Sequence, residues 1–390
     1  EEDNRFSAAQ MNDTFIITNG IDQPQKYTGT GVFADLVTTL AAGAITTAEL
    51  AFSFKDHLFL MNNTENGADC PQRVSWTNIG SLEDWVNGTA GYQDLTDDVS
   101  WVVAVAILSE NESIVYKERD VVSMVWIGGF APFRFKTMVM GTGVLSKDSV
   151  DSGTGEHLVV GPDVTYAYKG GIEIDILDDK IKKTLYGRLN RTYSNRMFVV
   201  YIEEDDEVQL WIPTAATTPD EVWCQNVIDE VWYRKTRSMT GFGYYEEQSS
   251  FTIGDLVGTI GEQNWRFGDA LVKAGSPTTL VGDTSGNIYK LDKTSLNDGT
   301  SAISSEFQTP DFSLPDSAEY MNKFMRVPQL IFEASGQSIT TEYSTDSGES
   351  WLPTQGAGGN VVTLSSVYDV YQQDFDVVSR RIRFRFRNST

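Results

Sequence analysis

Leu280-Val281-Gly282-Asp283-Thr284-Ser285-Gly286-Asn287-Ile288-Tyr289-Lys290-Leu291-Asp292 is the stretch from which the fold can be read. Gly282 and Asp283 end one strand, Ser285-Gly286 supplies the turn, and Ile288 and Leu291 return toward a core. Hairpins of this form close the blades of β-propellers, and β-sandwiches also use them. Outward from it, alternating and β-branched or aromatic runs dominate, among them Leu58–Met61, Val102–Leu108, Ser113–Lys117, Val121–Ile127, Met197–Ile202 and Val208–Ile212. Gly, Asp, Asn and Ser clusters separate them as turns. Helical signals are few: Val32–Leu40 reads as a short helix or a loop, and Ile181–Leu185 as a short helical turn.

Strand-rich units recur near residues 57, 113, 157, 196, 231 and 279. Most spacings are near the ~40–50 residues of a four-stranded blade. After about residue 305 the texture changes. Thr309-Pro310-Asp311-Phe312-Ser313-Leu314-Pro315 reads as an extended linker, because its prolines limit ladder pairing. The expected fold is therefore all-β. It comprises an N-terminal extension over 1–12, a β-propeller of about six to eight blades over 13–308, and a C-terminal β-sandwich over 309–390.

The 390 residues are 40% hydrophobic and 12% aromatic, which supports packed cores and argues against disorder. With 55 acidic and 30 basic residues the net charge is −25, so the average surface repels nucleic acid. That charge fits plain solubility, and it fits the wall of a conduit along which DNA passes without sticking. Cys70 and Cys224 are too few for a disulfide framework and read as small core residues, with one distant bridge left open. No apolar run reaches the ~20 residues of a spanning helix. The opening Glu1-Glu2-Asp3-Asn4 lacks the basic start and apolar core of a signal peptide.

Ser344, Asp346, Gly348 and Trp351 fit the Asp-box pattern Ser-x-Asp-x-Gly-x-x-Trp. Here Asp caps a turn, Gly takes a positive φ and Trp plugs the neighbouring strand. The motif is a folding device even in the glycan-processing propellers that share it. A sialidase would also need an arginine cluster, a Tyr nucleophile with a Glu, and an acid–base Asp. Nothing in the sequence brings such groups together. A carbohydrate-binding or sialidase-like propeller is nevertheless the rival function, motivated by the Asp box and by Trp76, Trp85, Trp101, Trp126, Trp211, Trp223 and Trp232. The tryptophans read more simply as blade core.

His57 and His157 each adjoin a strand and have no zinc-ligand spacing around them. No Gly-x-Ser-x-Gly elbow occurs, and Gly141-Thr142-Gly143 and Gly153-Thr154-Gly155 lack the ending of a phosphate loop. The run Glu203-Glu204-Asp205-Asp206-Glu207 reads as a solvated hairpin tip, with calcium binding the weaker alternative. No catalytic, cofactor or metal site is expected, and no enzyme. The one charge anomaly is the final strand, where Ile382, Phe384 and Phe386 face one way and Arg381, Arg383, Arg385 and Arg387 the other, with Arg380 beside them. This strip is the expected assembly interface, pairing with an acidic face of a neighbouring subunit.

The order of features resembles the propeller-bearing tail hub or nozzle proteins of short-tailed bacteriophages. It runs from Thr18-Asn19-Gly20-Ile21-Asp22-Gln23-Pro24-Gln25-Lys26-Tyr27 to Pro71-Gln72-Arg73-Val74-Ser75-Trp76-Thr77-Asn78-Ile79-Gly80 and on to Trp85. Ser113-Ile114-Val115-Tyr116-Lys117-Glu118, the hairpin at 282–289 and the Asp box complete it. The resemblance implies a non-enzymatic structural component of the virion tail. It would form a homo-oligomeric ring, a hexamer, between the portal–adaptor complex and the distal tail, with fibres or a needle attached nearby. DNA would pass transiently during ejection, with no stable nucleic-acid binding and no membrane insertion.

Overall fold

The structure, a computed structural model, describes residues 5–153, 155–202, 206–245, 278–291, 297–298, 301–314, 323–354 and 359–388. The chain divides into two compact units, Glu1–Leu291 and Asp292–Thr390.

The first unit is a succession of antiparallel sheets in which each strand pairs with the next in sequence. Blade 1 holds Ser7–Met11, Thr14–Thr18, Gln25–Tyr27 and Ala34–Asp35. Blade 2 holds Thr39–Leu40, Gly43–Phe54, His57–Glu65, Ala68–Trp76 and Gly91–Asp94. Blade 3 holds Val102–Ser109, Glu112–Lys117, Asp120–Trp126 and Phe133–Met140. Blade 4 holds Val150–Ser152, His157–Val160, Thr165–Tyr168 and Asp175–Ile176. Blade 5 holds Phe198–Ile202, Glu207–Ile212, Glu221–Asn226 and Val231–Thr236. Blade 6, as far as it is described, holds Gly241–Tyr245, Thr278–Gly282 and Ile288–Lys290.

The core shows why this meander is a propeller. Side chains alternate across a strand, so a sheet covered on both faces buries every residue of its middle strands. His57–Met61 is such a run: Leu58 and Leu60 pack toward blade 1, Phe59 and Met61 toward blade 3. The same alternation places one apolar layer between each successive pair of blades. Tyr116 meets Val159 and Tyr166 between blades 3 and 4, and Val160 meets Val199 and Leu210 between blades 4 and 5. Phe198 and Trp211 meet Val281 between blades 5 and 6. At about 25 cal/mol per Å² of apolar surface removed from water, these layers dominate the stability of the unit.

Several expectations are corrected. Residues 7–11 are not an extension; they pair with Thr14–Thr18 as the opening strand of blade 1. The units expected at 196 and 231 are the first and last strands of one sheet, blade 5. Residues 32–40 form no helix and carry only the short strands Ala34–Asp35 and Thr39–Leu40, whereas a helix does form at Lys182–Arg188. The acidic run splits: 203–205 lie outside the described residues, Asp206 turns the chain with φ +47°, and Glu207 is buried inside a strand. Tyr233 Oη and Lys235 Nζ donate to the Glu207 carboxylate, which explains how it tolerates burial.

The second unit packs a sheet built around Arg381–Asn388 against a two-stranded antiparallel ladder, Met325–Ala334 with Asp369–Ser379, whose strands are not consecutive in sequence. Ile382 and Phe384 are buried against Leu330, and Phe386 packs beside them, as the alternation of the last strand requires. The unit begins before residue 309, because Glu306–Gln308 pairs with Arg385–Arg387. Nor are residues 309–314 a free linker. Thr309 N–H donates to Phe384 O at 2.9 Å, and Phe312–Ser313 pairs with Arg381–Ile382. Pro315 lies outside the described residues.

Candidate functional site

The arginine strip and the Asp box, two separate features of the sequence, form one structure. Arg383 Nε donates to Asp311 Oδ1 at 3.0 Å. Arg385 pairs with Glu342 at 2.6 Å and lies 4.3 Å over the Trp351 ring, and Arg387 meets the same Glu342 carboxylate at 2.9 Å. Arg381 donates to Ser347 Oγ at 2.9 Å, and Arg380 stands 5.3 Å over the Phe324 ring. The strip's charge is therefore engaged by carboxylates and rings of its own unit. It ties the last strand to Ser338–Ser344 and to the stretch that precedes it.

The box itself forms as its spacing requires. Ser344 Oγ donates to Asp346 Oδ1 at 2.6 Å, and Gly348 N–H donates to Ser344 Oγ at 2.8 Å. Ser350 N–H closes the turn onto Asp346 at 2.9 Å. Gly348 has φ +96°. Hydroxyl donation from Ser344 and Ser350 holds the Asp346 carboxyl well below the usual carboxylate range. Trp351 lies against the Arg385 guanidinium instead of plugging apolar space in the neighbouring strand. Asp283 caps the blade 6 turn in the same manner, accepting from Ser285 N–H and Asn287 N–H.

A second charged assembly sits where the innermost strands of the propeller begin. Arg5 Nη1 donates to Asp148 Oδ2 at 2.6 Å, and Nη2 reaches Arg196 O at 2.6 Å and Thr240 O at 2.7 Å. Lys147 Nζ donates back to Arg5 O. Residues 148, 196 and 240 immediately precede the first strands of blades 4, 5 and 6, so one side chain of blade 1 binds three other blades. Between blades 4, 5 and 6, Tyr244 Oη donates to Asp151 Oδ2 at 2.6 Å, and Tyr201 N–H donates to the same oxygen at 2.7 Å. Burial pushes the Asp151 carboxyl up despite these donors.

Both histidines are buried in structural roles. His157 Nε2 donates to Ile107 O, and Nδ1 accepts from Tyr116 Oη, each at 2.8 Å. His57 bridges Lys55 O and Thr89 Oγ1. Cys70 and Cys224 are both free thiols. Of the tryptophans, Trp76, Trp85, Trp211 and Trp223 are buried, while Trp101 is exposed. An open groove of about 340 Å³ lies between Gly91–Asp94 and Phe133–Met140, lined by Asp94, Asp97, Arg134 and Phe135 among others. Asp94 is engaged there by Arg73, at 2.6 Å. Among the described residues no group of three or more His, Cys, Asp or Glu side chains is placed to hold a metal.

What sequence reasoning missed is the apolar surface. Val99, Trp101 and Met140 are exposed at one end of blade 3, linked through Glu118 N–H to Trp101 O and through the Asp120–Met140 register. On the second unit, Ile331, Val370 and Val378 are exposed on the outer face of the two-stranded ladder. Period two hides them on the second unit, because the same face also carries Arg326, Gln329, Glu333, Gln372, Asp374 and Asp376.

No family model matches the chain, and no curated protein matches it. Among solved structures, the extracellular domain of the hybrid two component system BT3049 from B. thetaiotaomicron is 8% identical, with TM-score 0.45, covering 96% of this chain and 50% of its own. The corresponding domain of BT4673 has TM-score 0.37 at 10% identity, covering 62% of this chain and 28% of that one. This chain thus spans half or less of those two domains. YCF48 from Cyanidioschyzon merolae has TM-score 0.38 at 11% identity, covering 74% and 82%. Likenesses at this level carry no functional argument.

Proposed function

We propose that the chain is a structural, non-enzymatic component of a bacteriophage tail, a hub or nozzle subunit whose propeller is a rigid wall and whose copies form a ring around the DNA ejection path. The observation that carries this reading is exposed apolar surface on both units: Val99, Trp101 and Met140 on the propeller, and Ile331, Val370 and Val378 on the two-stranded ladder of the second unit. Ile331 and Val370 are diagonal neighbours across paired strands, and a subunit that meets neighbours covers such groups. Two further features support it. The resemblance of the stretches at 18–27 and 71–85 is to tail hub proteins. The net charge of −25 denies phosphates a cationic anchor along a lumen.

The proposal assigns ring contacts to these apolar faces. The arginine strip, internally paired, has the weaker claim. Negative-stain electron microscopy of the concentrated protein tests it. Closed rings with a central hole are the expected result. Single particles at every concentration, together with binding to a sialoside or galactoside array, would replace the reading by the carbohydrate-binding alternative.

A further inference from the structure

In blades 2, 3 and 5 the end of the third strand, or the loop that follows it, bonds to the turn between the two inner strands. Gly80 N–H donates to Asp56 O at 2.7 Å in blade 2, Trp126 N–H to Asn111 O at 2.9 Å in blade 3, and Val227 N–H to Asp206 O at 2.8 Å in blade 5. Contacts between blades keep these turns on one side of the unit. Asn12 of blade 1 donates to Gly80 O of blade 2, Lys55 of blade 2 meets Glu110 of blade 3, and His157 of blade 4 reaches Ile107 O of blade 3. Tyr201 N–H of blade 5 donates to Asp151 Oδ2 of blade 4, and the outer loops of blades 1 to 5 therefore share a face, opposite the one where Arg5 sits.

On that face the outer loops repeat one device. Gly29-Thr30-Gly31-Val32 in blade 1, Gly128-Gly129-Phe130 in blade 3 and Gly170-Gly171-Ile172 in blade 4 each place two glycines at positive φ ahead of a large apolar residue. Left-handed backbone of this kind costs a side-chain-bearing residue about 1 kcal/mol or more, so glycine suits these positions. Val32, Phe130 and Ile172 are 85%, 88% and 73% exposed, and Ile228 in the blade 5 loop is 73% exposed. Val86 and Ile79 are exposed in the blade 2 loop. The inner turns carry exposed carboxylates at Asp13, Asp56 and Glu110, the last paired with Lys55, and the outer loops carry Glu173, Asp229 and Glu230. The lysines of these turns, Lys55 and Lys169, are each paired with an acid.

We infer that this face docks a cationic, amphipathic protein segment: apolar groups seat on the projecting Val, Phe and Ile side chains, and lysines or arginines meet the carboxylates around them. The charge selects the occupant. A second copy of this chain would bring the same acids face to face, and nucleic acid would bring phosphates. The face would act so whether or not the chain belongs to a virion.

The test uses the full chain and a synthetic helical peptide of lysine and leucine with one apolar face, read by fluorescence anisotropy, beside a glutamate–leucine peptide of the same pattern. The cationic peptide is expected to bind, and the acidic one not. Changing Val32→Ser, Phe130→Ser, Ile172→Ser and Ile228→Ser together should weaken binding roughly tenfold or more. Glu173→Lys with Asp229→Lys and Glu230→Lys should weaken it and flatten its salt dependence. Ile21→Ser, in the loop between the second and third strands of blade 1 and so at the opposite end, should leave it unchanged. All of these residues are exposed, so the fold is retained. Absent binding, equal binding of the acidic peptide, or equal weakening by the opposite-end variant overturns the inference. So does a self-association that only the four-loop variant abolishes, since a second copy would then be the occupant.

Discussion

His157 donates from Nε2 to a carbonyl and accepts at Nδ1 from Tyr116 Oη, so packing selects the neutral ring. Burial lowers its pKa below the ordinary value of 6.5, and the same holds for His57. The unfolded chain therefore binds protons that the folded one refuses once the pH falls below about 6.5. Stability is fully present above that value and declines below it, by up to about 1.4 kcal/mol per pH unit for each ring. Thermal unfolding at pH 7.5 and 5.5 should show the loss. His157→Gln keeps one donor and one acceptor. It should lower stability by about 1–2 kcal/mol and remove that ring's share of the acid sensitivity. If the variant kept the full pH slope, His157 would not be one of the titrating groups. At this scale the sequence was partly opaque. Each histidine was visibly beside a strand, but its partners, Ile107, Thr89 and Tyr116, come from other strands and loops and have no local signature.

The elements are joined by charges that sequence reading undervalued. Arg5 binds the starts of three blades through hydrogen bonds that run in different directions, which the guanidinium fork permits and a lysine ammonium does not. Arg5→Lys should therefore fail to rescue Arg5→Ala. Each should cost roughly 2–3 kcal/mol and raise hydrogen exchange in Gly241–Tyr245, whose preceding carbonyl loses its donor. An unchanged exchange rate there would mean that the apolar layer between blades 5 and 6 holds this strand without the arginine. In the second unit, Arg385→Glu sets a third carboxylate beside Glu342 and Glu306. We expect about 2–4 kcal/mol of destabilisation, seen as loss of exchange protection in Ser338–Ser344 and Arg381–Asn388. A variant that stayed protected would return the strip to the role of a free docking surface. The alternation of the last strand was legible because period two survives any context. Arg5 was not, since a lone arginine near the chain start has no pattern. The Lys55-Asp56 turn, with both residues at positive φ, was equally hidden because it lacks the Asn-Gly signal of such hairpins.

At the scale of the molecule, net charge and apolar surface oppose each other. Copies carrying −25 repel across any interface they share, while Ile331, Val370 and Val378, or Val99, Trp101 and Met140, gain by being covered. Salt separates the two effects. At 0.01 M the screening length is about 30 Å and at 0.1 M about 10 Å, so raising ionic strength removes the repulsion while leaving apolar burial in place. If copies associate through the apolar faces, sedimentation velocity should show the assembled species growing from low salt to about 0.5 M. Ile331→Ser with Val378→Ser should remove it. If instead they associate through arginine–carboxylate contacts between subunits, the same rise in salt should dissociate them, and the paired state of Arg383 and Arg385 within one chain would have to be exchanged for pairing across two. The internal distances of 2.6 to 3.0 Å already satisfy those arginines, so the exchange gains no new charge pairing. Association that strengthens with salt is therefore the outcome that the arrangement of charges favours.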